Sequence, residues 1–419
     1  MDAAPTRNDP NDRRPALWIV NQYAGSPHHG MEFRHYELGR ELSAAGWDIV
    51  VISGSYSHLL TKPPIVSGTY TIENVDGLTY CWVRLPSYGR ATGLGRLVNM
   101  VVFLARLYRL PRHRLPRPDA IVVSSPSPFP VLPAQRWARQ TGARLVFEVR
   151  DIWPLTLQEL GGLSSRHPLV VLLGWFERRA YRAADAVVSV LPAARSHLET
   201  HGMSPTKLTV VPNGIGAEAL REPTMDPPGD VRRAASRAGF NVGFVGTLGI
   251  ANALETLVEA ARLLREEDIG FVLVGHGPEE RRLRELAAGL DRVAFPGSVE
   301  KADVPATLRL FDCCYVGYHR SALYRFGIAP NKVYDYLAAG RPVILAAEAS
   351  NDVVAEAGAG LTVQPDDPPA LAEAIRSIRA MSAADRAVLG SSGRAFVERE
   401  HTYRSLAGRY LPVLIGDRA

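Results

Sequence analysis

Ala143-Arg-Leu-Val-Phe-Glu-Val-Arg-Asp-Ile-Trp-Pro154 is the stretch whose reading decides the fold. Residues 143–149 are a nearly continuous apolar, β-branched run, the pattern of a parallel strand covered by helices on both faces. Charged residues and a proline follow at once, as expected where such a strand ends and its loop enters a crevice. Outward from it, residues 16–23 (ALWIVNQY), 47–53 (WDIVVIS), 119–125 (DAIVVSS), 184–190 (ADAVVSV) and 208–212 (LTVVP) repeat the pattern. A helix is predicted over residues 31–45, with Leu38, Leu42 and Ala45 on one face and Gly46 as its stop. The texture breaks over residues 214–236, rich in Pro, Gly and charge. It restarts with strands over 240–246, 269–275, 292–296, 313–317, 342–346 and 361–364. Two βα series joined by a polar linker predict an α/β chain of two doubly wound domains. The expected organisation is a disordered lead over 1–14, a first domain over 15–215, a linker over 216–236 and a second domain over 237–400. A C-terminal helix over 401–419 is expected to pack back on the first domain.

The 419 residues, 46% hydrophobic and 22% charged, exclude disordered and fibrous classes. No apolar run approaches the roughly 20 residues of a membrane-spanning helix. The net charge of +5 is unevenly spread. Residues 77–118 hold Arg84, Arg90, Arg96, Arg106, Arg109, Arg112, Arg114 and Arg117 with no acidic residue, so this segment is +8 and the rest of the chain −3. Three cysteines, Cys81 and the adjacent Cys313 and Cys314, suit neither a disulfide framework nor a metal site. With no secretory apolar segment at the N-terminus, the expected setting is cytoplasmic.

Four loops can carry chemistry. The first, residues 21–35, leaves the first strand with polar, Gly- and Pro-bearing sequence and includes Gly30, Arg34 and His35; it reads either as an ordinary βα loop or as an anion site at a helix start. The second holds Arg150 and Asp151, catalytic candidates or a surface ion pair. The third, Phe244-Val-Gly246-Thr247-Leu-Gly249, is the matching turn of the second domain, where glycines let main-chain N–H groups approach a phosphate. The fourth runs from Tyr324 through Arg325, Gly327, Pro330, Asn331, Lys332 and Asp335 to Gly340. It places a helix start beside Lys332 as an anion site, with Asp335 one turn inside; otherwise it is a capped surface helix with an i, i+3 pair. Gly214-Ile-Gly216-Ala-Glu-Ala219 matches a dinucleotide fingerprint but is followed by Arg-Glu-Pro rather than a helix, and reads as an interdomain turn.

These segments, with Val211-Pro-Asn-Gly214 and Val274-Gly-His-Gly-Pro278, resemble over nearly the whole chain the nucleotide-sugar glycosyltransferases of family 4. The likeness is to the bacterial branch that includes the fucosamine transferases of surface-polysaccharide assembly. It implies the GT-B architecture, two Rossmann-like domains facing a central cleft. It also implies that the Gly30 loop abuts the donor diphosphate, and that Asp335 stands in the second position of the family's Glu-x7-Glu motif and holds the ribose hydroxyls. By the same likeness Gly275, Pro296 and Gly297 frame the base, and Arg150 and Asp151 fall where many relatives carry His-Asp. Gly246, Thr247, Arg325, Gly327, Ile328, Ala329, Pro330 and Asn331 complete the implied donor site, with Lys332 as its catalytic cation. The first Glu of the motif is replaced by Gly327, which fits an N-acetylated amino or deoxyamino sugar. Thr247 stands at the first position of the basic pair that many relatives carry.

The resemblance implies retention of configuration without metal or other cofactor, with transfer from a nucleotide-diphosphate sugar to a polyprenyl-diphosphate-linked glycan. Residues 97–110 (LVNMVVFLARLYRL) form an apolar helical stretch flanked by arginines. Arg106, Arg109, Arg112 and Arg114, with Arg34 and His35, are the expected acceptor- and membrane-facing residues on the inner face of the plasma membrane. The other reading of that stretch is a core helix with snorkelling arginines. A nucleotide-sugar 2-epimerase of the same fold would convert donor without acceptor. A nucleic-acid-binding protein would bind random DNA in a salt-sensitive way, but the basic stretch lacks interleaved aromatics.

Overall fold

The computed structural model describes residues 13–30, 33–57, 60–88, 94–223 and 225–416. Most of the 1–14 lead, and Arg90, lie outside the described residues. Every apolar run read as a strand forms one. The first sheet contains β1 (Ala16–Val20), β2 (Asp48–Gly54), β3 (Tyr70–Val75), β4 (Leu78–Val83), β5 (Ala120–Ser124), β6 (Arg144–Val149), β7 (Ala186–Ser189) and β8 (Leu208–Val210). Their order is β3-β4-β2-β1-β5-β6-β7-β8, parallel except for the β3–β4 pair. Central β1 is buried along its whole length, with Ile19 opposite Val51 of β2 and Val122 of β5. That burial on both faces is why its sequence is apolar without alternation.

The β3–β4 hairpin was not anticipated. Asp76 (φ 51°) and Gly77 (φ 88°) form its two-residue turn, both in the left-handed region. An Asp-Gly pair between alternating apolar residues is a strong short-range signal for that turn. The predicted helix over 31–45 begins later, at Arg34, and ends at Ala44.

The second sheet contains β9 (Phe240–Val245), β10 (Ile269–Val274), β11 (Val293–Gly297), β12 (Cys313–Gly317), β13 (Val343–Ala346) and β14 (Gly360–Val363). All are parallel, in the order β11-β10-β9-β12-β13-β14. Alternate strand residues feed two cores. Phe271, Leu273 and Ile344 pack with Leu257 and Ile375 of the helices Leu254–Leu263 and Pro368–Ala380. Val272, Val274, Val343 and Leu345 pack with Val333 and Leu337 of the helix Asn331–Ala338.

The chain divides at Val211/Pro212, and residues from Ala407 onward return to the first unit. The 216–236 stretch, expected as a linker, contains the helix Gly229–Ala235, whose Val231 and Ala234 enter the second core. Its charged residues face outward, which is what made it read as a linker. The C-terminal helix Tyr403–Ile415 straddles the division: Leu406 closes the second unit, while Tyr410, Val413 and Leu414 are buried in the first. Arg144 Nε donates to the Val413 carbonyl at 2.8 Å.

Tyr336 fixes the helix Asn331–Ala338 against β9. Its buried hydroxyl accepts from the Val245 N–H (2.9 Å) and donates to the Val245 carbonyl (3.0 Å). Tyr336→Phe deletes both bonds and is expected to destabilise the second domain by roughly 2 kcal/mol, the scale of buried main-chain groups losing their partner. The thermal transition of the variant, measured against wild type, checks this.

Candidate active site

The carboxyl ends of the first sheet gather a buried charge cluster around Glu148, the penultimate residue of β6. Glu148 is fully buried. Its Oε1 accepts from Arg34 Nε (3.1 Å) and Tyr410 Oη (3.3 Å), and its Oε2 from His35 Nε2 (2.9 Å) and Ser124 Oγ (2.7 Å). Arg34 also donates to the Val211 carbonyl at 2.9 Å. Burial alone would push the Glu148 carboxyl up. The charges of Arg34, His35 and Arg150 outweigh it and hold the group well below its usual 4.5. Arg34 and His35 are therefore not exposed acceptor- or membrane-facing residues, as expected from the sequence. Both are buried, turned inward by the carboxylate, which the sequence showed only as one charged letter inside an apolar run.

Around this cluster the loops are tightly built. Asn21 Nδ2 donates to the Ser125 carbonyl (3.2 Å) and its Oδ1 accepts from Tyr23 N (2.7 Å). Ser125 Oγ accepts from the main-chain N–H groups of Arg150 (2.8 Å) and Asp151 (3.2 Å), which sets the turn after β6. The Asp151 side chain is exposed and Arg150 half-buried. Gly30 is buried with φ 130°, in a conformation that favours glycine, and its N–H donates to Ser26 O. Two residues at this edge escaped the sequence reading. Arg96, at the start of the helix Leu94–Leu107, lies over the rings of Tyr23 (5.2 Å) and Trp153 (5.5 Å) and bonds the Tyr23 hydroxyl (3.0 Å). Gln22, buried just after β1, has no partner for either side-chain polar atom among the described residues, an arrangement costly enough to call for a ligand or water. No local motif marks such a residue.

In the second domain, Gly246, Gly275 and Gly297 bring three strand ends together. Gly246 N donates to Val274 O (2.9 Å) and Gly275 N to Gly297 O (2.8 Å). A Cβ on Gly275 would lie 1.8 Å from the Gly246 carbonyl oxygen, so this contact requires glycine. Lys332, in the first turn of the helix Asn331–Ala338, reaches back to the same place, its Cε 3.4 Å from where a Gly246 Cβ would sit. Its ammonium lies over the Phe244 ring (4.7 Å to the centroid) and donates to Asn252 Oδ1. Among the described residues no carboxylate pairs with it, and burial pushes its pKa down to about 8. Phe244 and Asn252, the residues that hold this cation, were not assigned from sequence.

The loop before that helix is clamped: Asn351 Oδ1 accepts from Ile328 N (2.8 Å), Asn351 Nδ2 donates to Ile328 O (3.1 Å), and Asn213 Nδ2 donates to Ala329 O (2.8 Å). Pro330 stands just before the helix and Asn331 is its first residue. Gly327 is buried with φ 100°, so the loop is shaped for glycine and not merely lacking a carboxylate. Asp335 is held by Lys301 Nζ at 2.8 and 3.0 Å. Arg325 is exposed and folds over Phe326 (4.4 Å). Thr247 is exposed, and Pro296 is half-buried at the end of β11.

Arg106, Arg109, Arg112 and Arg114 lie in and just after the helix Leu94–Leu107. That helix buries Met100, Phe103 and Leu107 while leaving Val98 and Val101, with Tyr108 just beyond, about half exposed. One face of the helix is thus part of the core, and the other carries exposed apolar side chains. Arg106 donates to Arg84 O, and Arg112 to Gln140 Oε1 (2.7 Å).

Two doubly wound units on largely parallel sheets, with charged and glycine-rich loops at their carboxyl edges, define a protein of GT-B type. The profile of the Glycosyl transferase 4-like domain matches residues 29–214, and that of Glycosyl transferases group 1 matches residues 239–380. A putative colanic acid biosynthesis glycosyl transferase, WcaI of Escherichia coli K12, is 26% identical over 86% of this chain and 89% of its own. A sucrose-phosphate synthase of Thermosynechococcus elongatus superposes with a TM-score of 0.69 at 21% identity, covering 96% of this chain and 98% of the other. Anabaena HepE, in a complex with UDP and glucose, gives a TM-score of 0.63 at 14% identity over 96% and 99% of the two chains. At these identities the two structures speak for the fold. The chain belongs to the family 4 glycosyltransferases, hexosyl-transferring enzymes of GT-B fold.

Glu148→Ala leaves Arg34 buried without its carboxylate and is expected to destabilise the first domain by about 3–5 kcal/mol. Because the carboxyl is held below its unfolded value of 4.5, its contribution is full above that pH and fades as pH falls through the folded pKa. The stability gap between wild type and Glu148→Gln should therefore be constant at neutral pH and narrow as the pH falls below 4.5, as denaturation curves will show.

Proposed function

We propose that the protein is a retaining glycosyltransferase that moves a sugar from a UDP-linked donor to a polyprenyl-diphosphate-linked glycan during bacterial surface-polysaccharide synthesis. The observation that carries this reading is Lys332, a half-buried cation that no carboxylate among the described residues pairs with, set beside Gly246 in the first turn of a helix. A diphosphate there would meet the ammonium and the unpaired N–H groups of the helix start together. As the sugar–oxygen bond breaks, negative charge grows on the leaving diphosphate, and these preoriented groups stabilise it. No metal or other cofactor is needed for that charge.

Asp335 would accept from the ribose hydroxyls, with Lys301 holding its carboxylate in place. Gly275, Pro296 and Gly297 would frame the base. The glycine-shaped loop at Gly327 leaves room where many relatives place a Glu against the sugar, which supports an N-acetylated amino or deoxyamino sugar. UDP is the nucleotide in the HepE complex, and the surface-polysaccharide assignment follows the colanic acid relative. On the first domain, Arg150, Asp151 and the unpartnered amide of Gln22 offer polar groups for the acceptor. No helix among the described residues is long and apolar enough to cross a membrane. The half-exposed apolar face of the helix Leu94–Leu107 and its flanking arginines support attachment to the inner, anionic leaflet of the plasma membrane.

Lys332→Ala is expected to lower kcat about 10²-fold or more, the scale for losing one preoriented charge-stabilising group. Its thermal stability should equal or exceed that of wild type, because burial already penalises the ammonium. In the wild-type enzyme, UDP affinity should be flat from about pH 7 to 8, where the terminal phosphate is already ionised, and weaken above it as Lys332 loses its proton. Unchanged turnover in the variant, or affinity independent of pH up to 9.5, overturns the role.

Replacing Arg106, Arg109, Arg112 and Arg114 together by Gln should abolish sedimentation with anionic vesicles at low salt while leaving transfer to a soluble acceptor analogue intact. Each basic residue near such a surface contributes about 1 kcal/mol.

A further inference from the structure

The first domain holds a cluster of ligating side chains that the transfer chemistry does not use. Glu177, on the helix Pro168–Ala183, is buried. His197 lies on the helix Arg195–Thr200, and His201 follows directly after it. The ligand atoms of the three residues lie within 4.8 Å of one another. Glu177 Oε1 is 2.9 Å from His197 Nε2, and the two imidazoles stack with centroids 4.0 Å apart.

Two further contacts match those found behind metal ligands. His201 Nδ1 is 2.8 Å from the His197 carbonyl oxygen. A carbonyl only accepts, so Nδ1 carries the proton and Nε2 of the neutral ring presents its lone pair. Tyr181 Oη donates to the Glu177 carboxylate at 3.0 Å. A ligating histidine anchored to a main-chain carbonyl and a ligating carboxylate held by a hydroxyl are the usual outer partners of a metal site. Two imidazoles at i and i+4 with one carboxylate suit zinc, and the half-exposed His201 leaves a side open to solvent for a water as fourth ligand.

We infer that Glu177, His197 and His201 form a zinc site in the first domain. The ion joins the helix Pro168–Ala183 to the segment between β7 and β8. On binding, the hydrogen bond between His197 and Glu177 gives way to two metal bonds, and the His197 proton moves from Nε2 to Nδ1 or to solvent. His201 closes on the ion, since tetrahedral legs of about 2.0–2.1 Å bring ligand atoms closer together than 4.8 Å. The ion takes no part in sugar transfer.

The test uses the full chain without a histidine tag, stripped with a chelator and titrated with zinc chloride by calorimetry and thermal denaturation. The expected result is one zinc per chain and a rise in Tm that saturates with it. His201→Gln, which leaves the Glu177–His197 bond in place and so should fold as wild type does, should bind zinc at least about tenfold more weakly, the scale seen for losing a metal-site partner. Transfer activity should be equal with and without zinc. Absence of zinc binding by wild type at millimolar concentration, equal binding by His201→Gln, or a Tm that zinc does not raise overturns the site.

Discussion

A single buried carboxylate organises the first domain. Glu148 sits where β6 ends and receives hydrogen bonds from the first helix, from β5 and from the C-terminal helix. A charge removed from water is tolerable only when its partners are in place, so the cluster specifies the positions of all these elements at once. Arg34 extends the network to the main chain at Val211, where the first domain ends. In the loops that surround it, 21–30 and 150–154, Asn21 and Ser125 each hold main-chain groups by hydrogen bonds.

The second domain handles charge in the opposite way. Lys332 has no carboxylate partner among the described residues and is packed on an aromatic face and one amide oxygen, and burial lowers its proton affinity. A group kept in that condition gains strongly from any dianion that arrives. The close approach of Gly246 and Gly275 leaves main chain rather than side chains around it. One domain has thus closed its charge network internally, whereas in the other Lys332 has only an aromatic ring and an amide oxygen as described partners.

Much of this was legible in the sequence, because buried parallel strands must be apolar on both faces and turns at their ends must be small or polar. The strands at 16–20, 144–149 and 269–274 follow directly from that rule. The hairpin from 70 to 83 was legible through its Asp-Gly pair and passed over. Arg34 and His35 were misread because composition shows a charge but not where it points; only the tertiary position of Glu148 turns them inward. Residues 216–236 looked like a linker because a short helix with one buried stripe and a charged outer face has the same composition. Gly327 illustrates a limit of motif comparison: the missing carboxylate is visible in the sequence, while the left-handed backbone that accompanies it is not.

The C-terminal helix carries an implication for biosynthesis. Tyr410, Val413 and Leu414 complete the core of the first domain, yet they emerge from the ribosome only after the entire second domain. Domains that fold during synthesis generally do so in order from the N-terminus. Here the first domain waits with Glu148 lacking the Tyr410 hydroxyl and with the carbonyl partner of Arg144 not yet made. The nascent chain therefore passes through a period in which its earliest-made half is open at that edge, and emergence of the helix Tyr403–Ile415 is what closes it.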